Sequence, residues 1–159
     1  MLRESDGLFR QIVEEVVGGY PELKYEQFIV DDFARRIVQS SHSLDVVVMP
    51  NLYGDILSDA AAGTIGGLGV APSGCYGADY AYFESVHGTA PDIKGMGIIN
   101  PTATMLSAVM MLDYLGMDAE SKRFENAVRK VYAEGKALTP DQGGSGKTAE
   151  FTRAVIANL

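Results

Sequence analysis

With a single cysteine, Cys75, the chain cannot form an intrachain disulfide or build a cysteine-based zinc site, and it suits a reducing compartment. Basic residues are also in deficit, with 13 Lys and Arg against 21 Asp and Glu, a net charge of −8. That balance argues against nucleic acid as a partner, because phosphate binding needs basic residues gathered on one face. No apolar run nears the length of a membrane span, and Met1 to Asp6 lacks the apolar stretch of a signal peptide. A soluble, cytoplasmic protein with no membrane association is expected. Internal repeats and low-complexity tracts are absent as well. What is present is globular in character: 47% hydrophobic and 21% charged residues over 159 positions, enough for a sizeable core.

Leu8, Phe9, Ile12, Val13 and Val16 fall at helical spacing behind a capping Ser5 or Asp6, and Gly18-Gly19 stops that helix. Tyr25 to Val30, aromatic and β-branched, predicts a short strand, and Asp32 to Gln39 a helix with Phe33 and Ile37 on one face. Asp45-Val-Val-Val-Met49 reads as a buried parallel strand. Pro50 to Gly54 breaks it, Asp55 to Thr64 is helical, and the turn Gly66-Gly67-Leu68-Gly69 and a loop lead to a strand at Tyr80 to Glu84. An irregular loop from His87 to Asn100 precedes three helices, Pro101 to Leu115, Ala119 to Glu134 and Thr148 to Asn158. Strands alternating with helices say α/β. So few strands are less than a self-contained doubly wound domain usually supplies, which hints at partners.

Asp55 and Asp59 stand at i and i+4, so their carboxylates share a helix face at a cost of about 0.2–0.5 kcal/mol. A divalent cation would remove that cost, and hard oxygen ligands suit Mg²⁺ or Mn²⁺. The plainer alternative puts Asp55 in the first turn, favoured by the helix dipole, with Asp59 solvated. Asp31-Asp32 lies where a strand ends and a helix opens, the edge at which α/β proteins gather ligands. One of the two suits a helix cap, and the other could be a third metal ligand.

His87-Gly-Thr-Ala-Pro-Asp92-Ile93 is a polar loop of the kind that holds an adenosine moiety, with the acid on ribose hydroxyls; a solvent loop is the alternative. Asn100 and Pro101 read as the N-cap and first position of a helix. Gly143-Gly-Ser-Gly-Lys-Thr148 imitates a phosphate-binding loop, but Asp141 occupies the first glycine position and no buried strand leads into it. Thr148 reads instead as a helix cap behind a glycine turn.

Taken in order, Val30-Asp31-Asp-Phe33, Asn51-Leu-Tyr-Gly-Asp-Ile-Leu-Ser-Asp59, Gly66-Gly-Leu-Gly-Val-Ala-Pro72, Phe83-Glu-Ser-Val-His-Gly-Thr-Ala-Pro-Asp-Ile93 and Asn100-Pro-Thr-Ala resemble the β-decarboxylating dehydrogenases acting on isocitrate, 3-isopropylmalate and homoisocitrate. The likeness runs from Ser5-Asp-Gly-Leu-Phe9 to the C-terminus. It implies the C-terminal half of that α/β fold, with residues 1–50 in the small dimerisation domain and 51–159 in the large cofactor-binding domain.

The resemblance further implies roles. Asp55 and Asp59 match acids that hold Mg²⁺ or Mn²⁺, and Asp31 an acid that completes such a site across a dimer interface. His87, Gly88, Thr89 and Ala90 match the loop around the adenosine end of the cofactor, Asn100 an adenine contact, and Asp141 more loosely another acid nearby. Glu84 lies near the expected nicotinamide position. Asp92 and Ile93 match the NAD-preferring form, and a carboxylate there favours a free 2′-hydroxyl over a 2′-phosphate. The expected reaction is NAD-dependent oxidative decarboxylation of a small 2-hydroxy acid. The catalytic Lys and Tyr and the carboxylate-gripping arginines belong to the N-terminal half, so no catalytic residue is assigned here. A homo-oligomer or a complementary N-terminal-half chain is expected as partner; a non-catalytic regulatory subunit is the alternative.

Overall fold

Asp6 reaches back from the first turn of α1 (Arg3–Val17) to accept the Leu2 N–H at 2.9 Å, so this helix starts ahead of the Ser5 or Asp6 cap read from the sequence. The same carboxylate oxygen accepts the Tyr53 hydroxyl at 2.9 Å, tying α1 to α3 (Asn51–Thr64) and pushing the Tyr53 pKa above the usual phenol range. These elements, with α2 (Val30–Gln39), belong to the first of two units, Met1–Ala61 and Ala62–Leu159, in a computed structural model that describes residues 2–159. The division falls inside α3.

In the first unit α2 begins at Val30, the last residue of the expected strand, and both Asp31 and Asp32 sit inside the first helical turn. Phe33 is buried, its ring centroid 5.9 Å from that of Phe28, and the Arg36 guanidinium stacks over Phe28 at 4.3 Å. α3 starts at Asn51, directly after Pro50, rather than at Asp55. Proline is no obstacle there, because it lies ahead of the hydrogen-bonded turns.

Two expected strands are not formed. Tyr25–Val30 and Asp45–Met49 have no ladder partner among the described residues, and Val46 is 89% exposed rather than buried. β-branched residues favour extended backbone, but a strand exists only when a neighbour supplies the opposing N–H and C=O groups. The apolar stripe of α1, Leu8, Ile12 and Val16, is likewise half or more exposed.

The second unit is built on an antiparallel pair, β1 (Pro72–Tyr76) and β2 (Ala81–Ser85), rather than on parallel strands. β2 was legible in its alternation, while β1, read as loop from its proline and glycine, is made a strand by pairing Gly74 with Phe83. A Cβ at Gly74 would lie 3.0 Å from the Phe83 ring, so glycine leaves room for it. α4 (Thr102–Tyr114) packs on both strands. Buried Ser107 on α4 links them, donating to the Glu84 carbonyl at 2.6 Å and accepting the Ser73 N–H at 3.3 Å.

α4 also packs against α5 (Asp118–Glu134), which packs in turn on α6 (Thr148–Ile156). Ala127, Val128 and Val131 of α5 and Phe151 and Val155 of α6 form the core, each no more than 2% exposed. Between these two helices the chain folds on itself, with the Gly144 N–H on the Thr139 carbonyl and the Gly146 N–H on the Leu138 carbonyl.

A Cβ placed on Gly144 would lie 1.9 Å from the Leu138 carbonyl oxygen, an overlap only backbone movement can relieve. Gly144→Ala is therefore expected to cost about 3 kcal/mol, at the upper end for overpacking. Gly54→Ala, inside α3 with only an ordinary 3.6 Å contact to Met49, should instead gain up to about 1 kcal/mol. Urea unfolding of both variants reads the two signs.

Candidate functional site

The candidate metal ligands of the first unit stand on two helices, α2 and α3. Asp32 spends its charge within α2: Arg35 Nη2 meets its Oδ1 at 2.6 Å and Arg36 Nε its Oδ2 at 2.7 Å. The hydrogen bond from Arg36, then that from Arg35, hold its carboxyl below the usual Asp value. Asp31 is exposed, with its Oδ1 accepting the Asp32 N–H, and neither acid caps the helix. Asp31 is thus the member of the pair whose charge is not met by a basic residue in the described ion pairs.

Because α3 begins at Asn51, Asp55 lies beyond its first turn, where the helix dipole no longer helps a carboxylate. The dipole account of this residue is thereby removed. Asn51 Nδ2 donates to Asp55 Oδ2 at 2.6 Å, a neutral donor that orients the carboxylate without neutralising it. Asp59 is exposed one turn further on. Two exposed carboxylates on one face offer the hard oxygen donors that Mg²⁺ or Mn²⁺ takes. Asp31 does not join them: among the described residues no group of three or more His, Cys, Asp or Glu could hold a metal ion.

In the second unit the loop from His87 forms one side of an open cleft of about 530 Å³, lined by Ile93, Ile99, Asn100, Thr104 and Thr148 among others. Small-molecule sites commonly measure about 300–1,000 Å³. His87 Nδ1 lies 3.0 Å from the Gly88 carbonyl, which can only accept, so Nδ1 carries the proton. Nε2 is then an acceptor, and it is buried without a partner. Leaving such a group unsatisfied costs about 1–3 kcal/mol, which a ligand hydroxyl or amino group would recover. Ala90 in the same loop holds a left-handed backbone, φ 43° and ψ 61°, an expense commonly found at binding loops.

Asn100 closes the cleft floor and is 3% exposed. Its Oδ1 accepts the Thr102 N–H at 3.0 Å just ahead of α4, whose cap position is Pro101 rather than the expected Asn100. Its Nδ2 donates to Tyr132 Oη at 3.1 Å and to Asp141 Oδ2 at 2.9 Å. Both amide hydrogens are thus spent inside the protein. Asp141 also accepts from Thr139 Oγ1 at 2.5 Å and Gln142 Nε2 at 3.0 Å. Desolvation, the largest single influence, pushes the Asp141 carboxyl up, but the bonds from Thr139, Gln142 and Asn100 together outweigh it and lower its pKa. A Cβ on Gly69 would lie 3.1 Å from both Asn100 Cβ and Asp141 Oδ2, which explains a glycine at the end of that turn.

Of the residues expected at the cofactor, the structure therefore gathers His87, Ile93 and Asn100 in one cleft and joins Asp141 to it through Asn100. Gly88, Thr89, Ala90 and Asp92 lie on the exposed loop beside it, and Glu84 points from the outer face of β2. Sequence reasoning missed Tyr132 and Gln142, whose partners are 32 and 76 positions away, and no local pattern announces them. Thr148, read from the sequence only as a helix cap, is the first residue of α6, whose cap position is Lys147.

The sequence matches the family described as isocitrate/isopropylmalate dehydrogenase over residues 1–155. It is 50% identical over 159 residues to a Caenorhabditis elegans protein named as a probable mitochondrial NAD isocitrate dehydrogenase subunit alpha, covering all of this chain and 44% of that protein. An Arabidopsis thaliana protein named as mitochondrial NAD isocitrate dehydrogenase catalytic subunit 6 is 46% identical over 160 residues, covering all of this chain and 43% of the relative. The crystal structure of isocitrate dehydrogenase from Methylococcus capsulatus superposes with a TM-score of 0.93 at 41% identity, covering 99% of this chain and 47% of that one. The chain thus spans less than half the length of the relatives it matches.

Asp141→Asn replaces an acceptor of three bonds with an amide that cannot accept them all, and should cost about 1–2 kcal/mol at neutral pH. Because the folded carboxyl titrates below its unfolded value, its contribution is present above the carboxylate range and is lost as pH falls through the lowered pKa. Unfolding measured from neutral to acid pH should show wild type and variant converging as the acid protonates.

Proposed function

The chain belongs to the isocitrate/isopropylmalate dehydrogenase family, and from that premise we propose that it forms the NAD- and metal-binding part of an NAD-dependent β-decarboxylating dehydrogenase, with isocitrate the first substrate to test. The observation that carries this reading is the His87 Nε2, an unpartnered acceptor buried at a cleft shared with Ile93 and Asn100. A nucleoside suits that cleft, with apolar wall for a base and acceptor for a hydroxyl or amino group. Gly88, Thr89 and Ala90 shape the loop around the adenosine end, and Asp92 stands ready to accept from ribose hydroxyls. Asp92 sets the preference for NAD⁺, since its charge opposes a 2′-phosphate. Glu84 faces the nicotinamide end.

Asp55 and Asp59 hold Mg²⁺ or Mn²⁺, and Asp31 serves the corresponding site of a second copy. Bound NAD⁺ would supply a hydride acceptor for the 2-hydroxy acid, and a cation held by Asp55 and Asp59 would supply Lewis-acid polarisation of its oxygen. Asn51 fixes the rotamer of Asp55, so one ligand oxygen is oriented before any cation arrives. The acid, the base and the cations that grip substrate carboxylates come from the remainder of the family fold, whether on the same polypeptide or a complementary one. A catalytic role is favoured over a purely regulatory one by the likeness to a relative named as a catalytic subunit.

Calorimetric titration tests the cofactor site. NAD⁺ should bind the chain at least about tenfold more tightly than NADP⁺, a difference of 1.4 kcal/mol, and Asp92→Lys should narrow or reverse the gap. Equal affinity for both nucleotides would sink the role of Asp92. With isocitrate and Mn²⁺, NADH absorbance should grow only when a polypeptide carrying the rest of the fold is added, and Asp59→Asn should abolish that growth. Turnover by these residues alone would refute the division of labour.

A further inference from the structure

The stretch Gly143–Thr148 imitates a phosphate loop, yet most of its N–H groups are already engaged. Gly144 donates to the Thr139 carbonyl at 3.1 Å and Gly146 to the Leu138 carbonyl at 2.8 Å. Glycine is required at both places because a Cβ would strike the 137–138 backbone, at 1.9 Å from Gly144 and 2.7 Å from Gly146. The segment therefore presents no anion cradle. What it delivers is Thr148, at the start of α6.

Thr148 makes two bonds to one short loop. Its N–H donates to the Gly97 carbonyl at 2.9 Å and its hydroxyl to the Ile99 carbonyl at 2.5 Å. Both carbonyls belong to the cleft wall that faces His87. That wall is weakly held otherwise: Gly95 and Gly97 take φ of 80° and 66°, Met96 is 54% exposed, and no helix or strand runs through it. Segments with few buried contacts open easily unless hydrogen bonds restrain them. α6 is by contrast rigidly seated, with Phe151 and Val155 essentially inaccessible in the core.

We propose that Thr148 is a positioning residue for the nucleotide cleft, passing the rigidity of α6 to the Gly95–Ile99 wall, with Gly143–Lys147 as the strap that brings it there. The proposal rests on the cofactor reading above and adds to it a residue that would act without touching the reacting atoms. Its hydroxyl, rather than its bulk, is the working part, since the methyl is retained in valine.

The test combines two measurements on the 159-residue chain. Amide hydrogen exchange of residues 95–99 reads the tether directly, without nucleotide, and calorimetry reads NAD⁺ affinity. Thr148→Val should speed exchange in the wall, leave α5 amides as protected as in wild type, and weaken NAD⁺ about three- to tenfold, as expected for one lost hydrogen bond. Thr148→Ser keeps both donors and should match wild type in both readouts. Unchanged wall exchange in Thr148→Val overturns the tether. Faster exchange with unchanged NAD⁺ affinity overturns its service to the cleft, and so does a serine variant as weak as valine. If wild type itself binds no NAD⁺ while the wall loosens in Thr148→Val, the fault lies in the cofactor reading, and the proposal falls with it.

Discussion

The buried amide of Asn100 is the joint on which the second unit depends. One side chain accepts the Thr102 N–H that opens α4, reaches Tyr132 on α5 and holds Asp141 in the turn that leads toward α6. Three segments distant in sequence thus meet at a group that cannot leave water without partners, because each unmade bond there costs about 1–3 kcal/mol. The cleft inherits its floor from this joint. Asn100 lines it, and the helix that follows carries Thr104 along the same wall. The sequence had already marked Asn100 for two tasks, cap and adenine contact. Burial decides between side-chain roles: with both amide hydrogens spent internally, the side chain organises the site, and a base meeting Asn100 would find its second carbonyl lone pair or its main chain.

Glycine and serine do comparable work where backbones must come close. Gly69 admits Asn100 and Asp141, Gly144 admits the Leu138 carbonyl, and Gly74 admits the Phe83 ring. Ser107 bridges both strands of the only sheet among the described residues. None of these contacts adds much apolar area. Each removes a steric or polar conflict that would otherwise keep the elements apart, which is why a methyl group at Gly144 matters more than many exposed substitutions.

The helices were legible because their signals are local. Apolar spacing located all six to within a few residues, and the one larger displacement, α3 beginning at Asn51 instead of Asp55, arose from reading Pro50 to Gly54 as a break. That displacement matters to function, since it moves Asp55 out of the dipole-favoured turn, and among the described ion pairs none meets the charge of Asp55 or Asp59. Strands fared worse. Asp45–Met49 has the composition of a buried strand and lies exposed, while Pro72–Tyr76 has the composition of a loop and pairs with β2. A ladder is a property of two segments, and neither carries the other's position in its own residues.

On its own, the sequence determined the order of the family's motifs, the placement of the helices to within a few residues and the acid spacing on α3, all of which depend on residues within a few positions of one another. It also carried the resemblance, since five motifs in a fixed order constrain a family even when half the fold lies elsewhere. Tertiary structure alone decided which residues share the cleft, that Tyr132 and Asp141 meet at Asn100, that Gln142 reaches Gly66, and that Thr148 bonds the carbonyls of Gly97 and Ile99. The physical reason is range. Periodicity and capping act over one or two helical turns, whereas these hydrogen bonds join residues tens of positions apart and exist only once the core of α5 and α6 has brought them together.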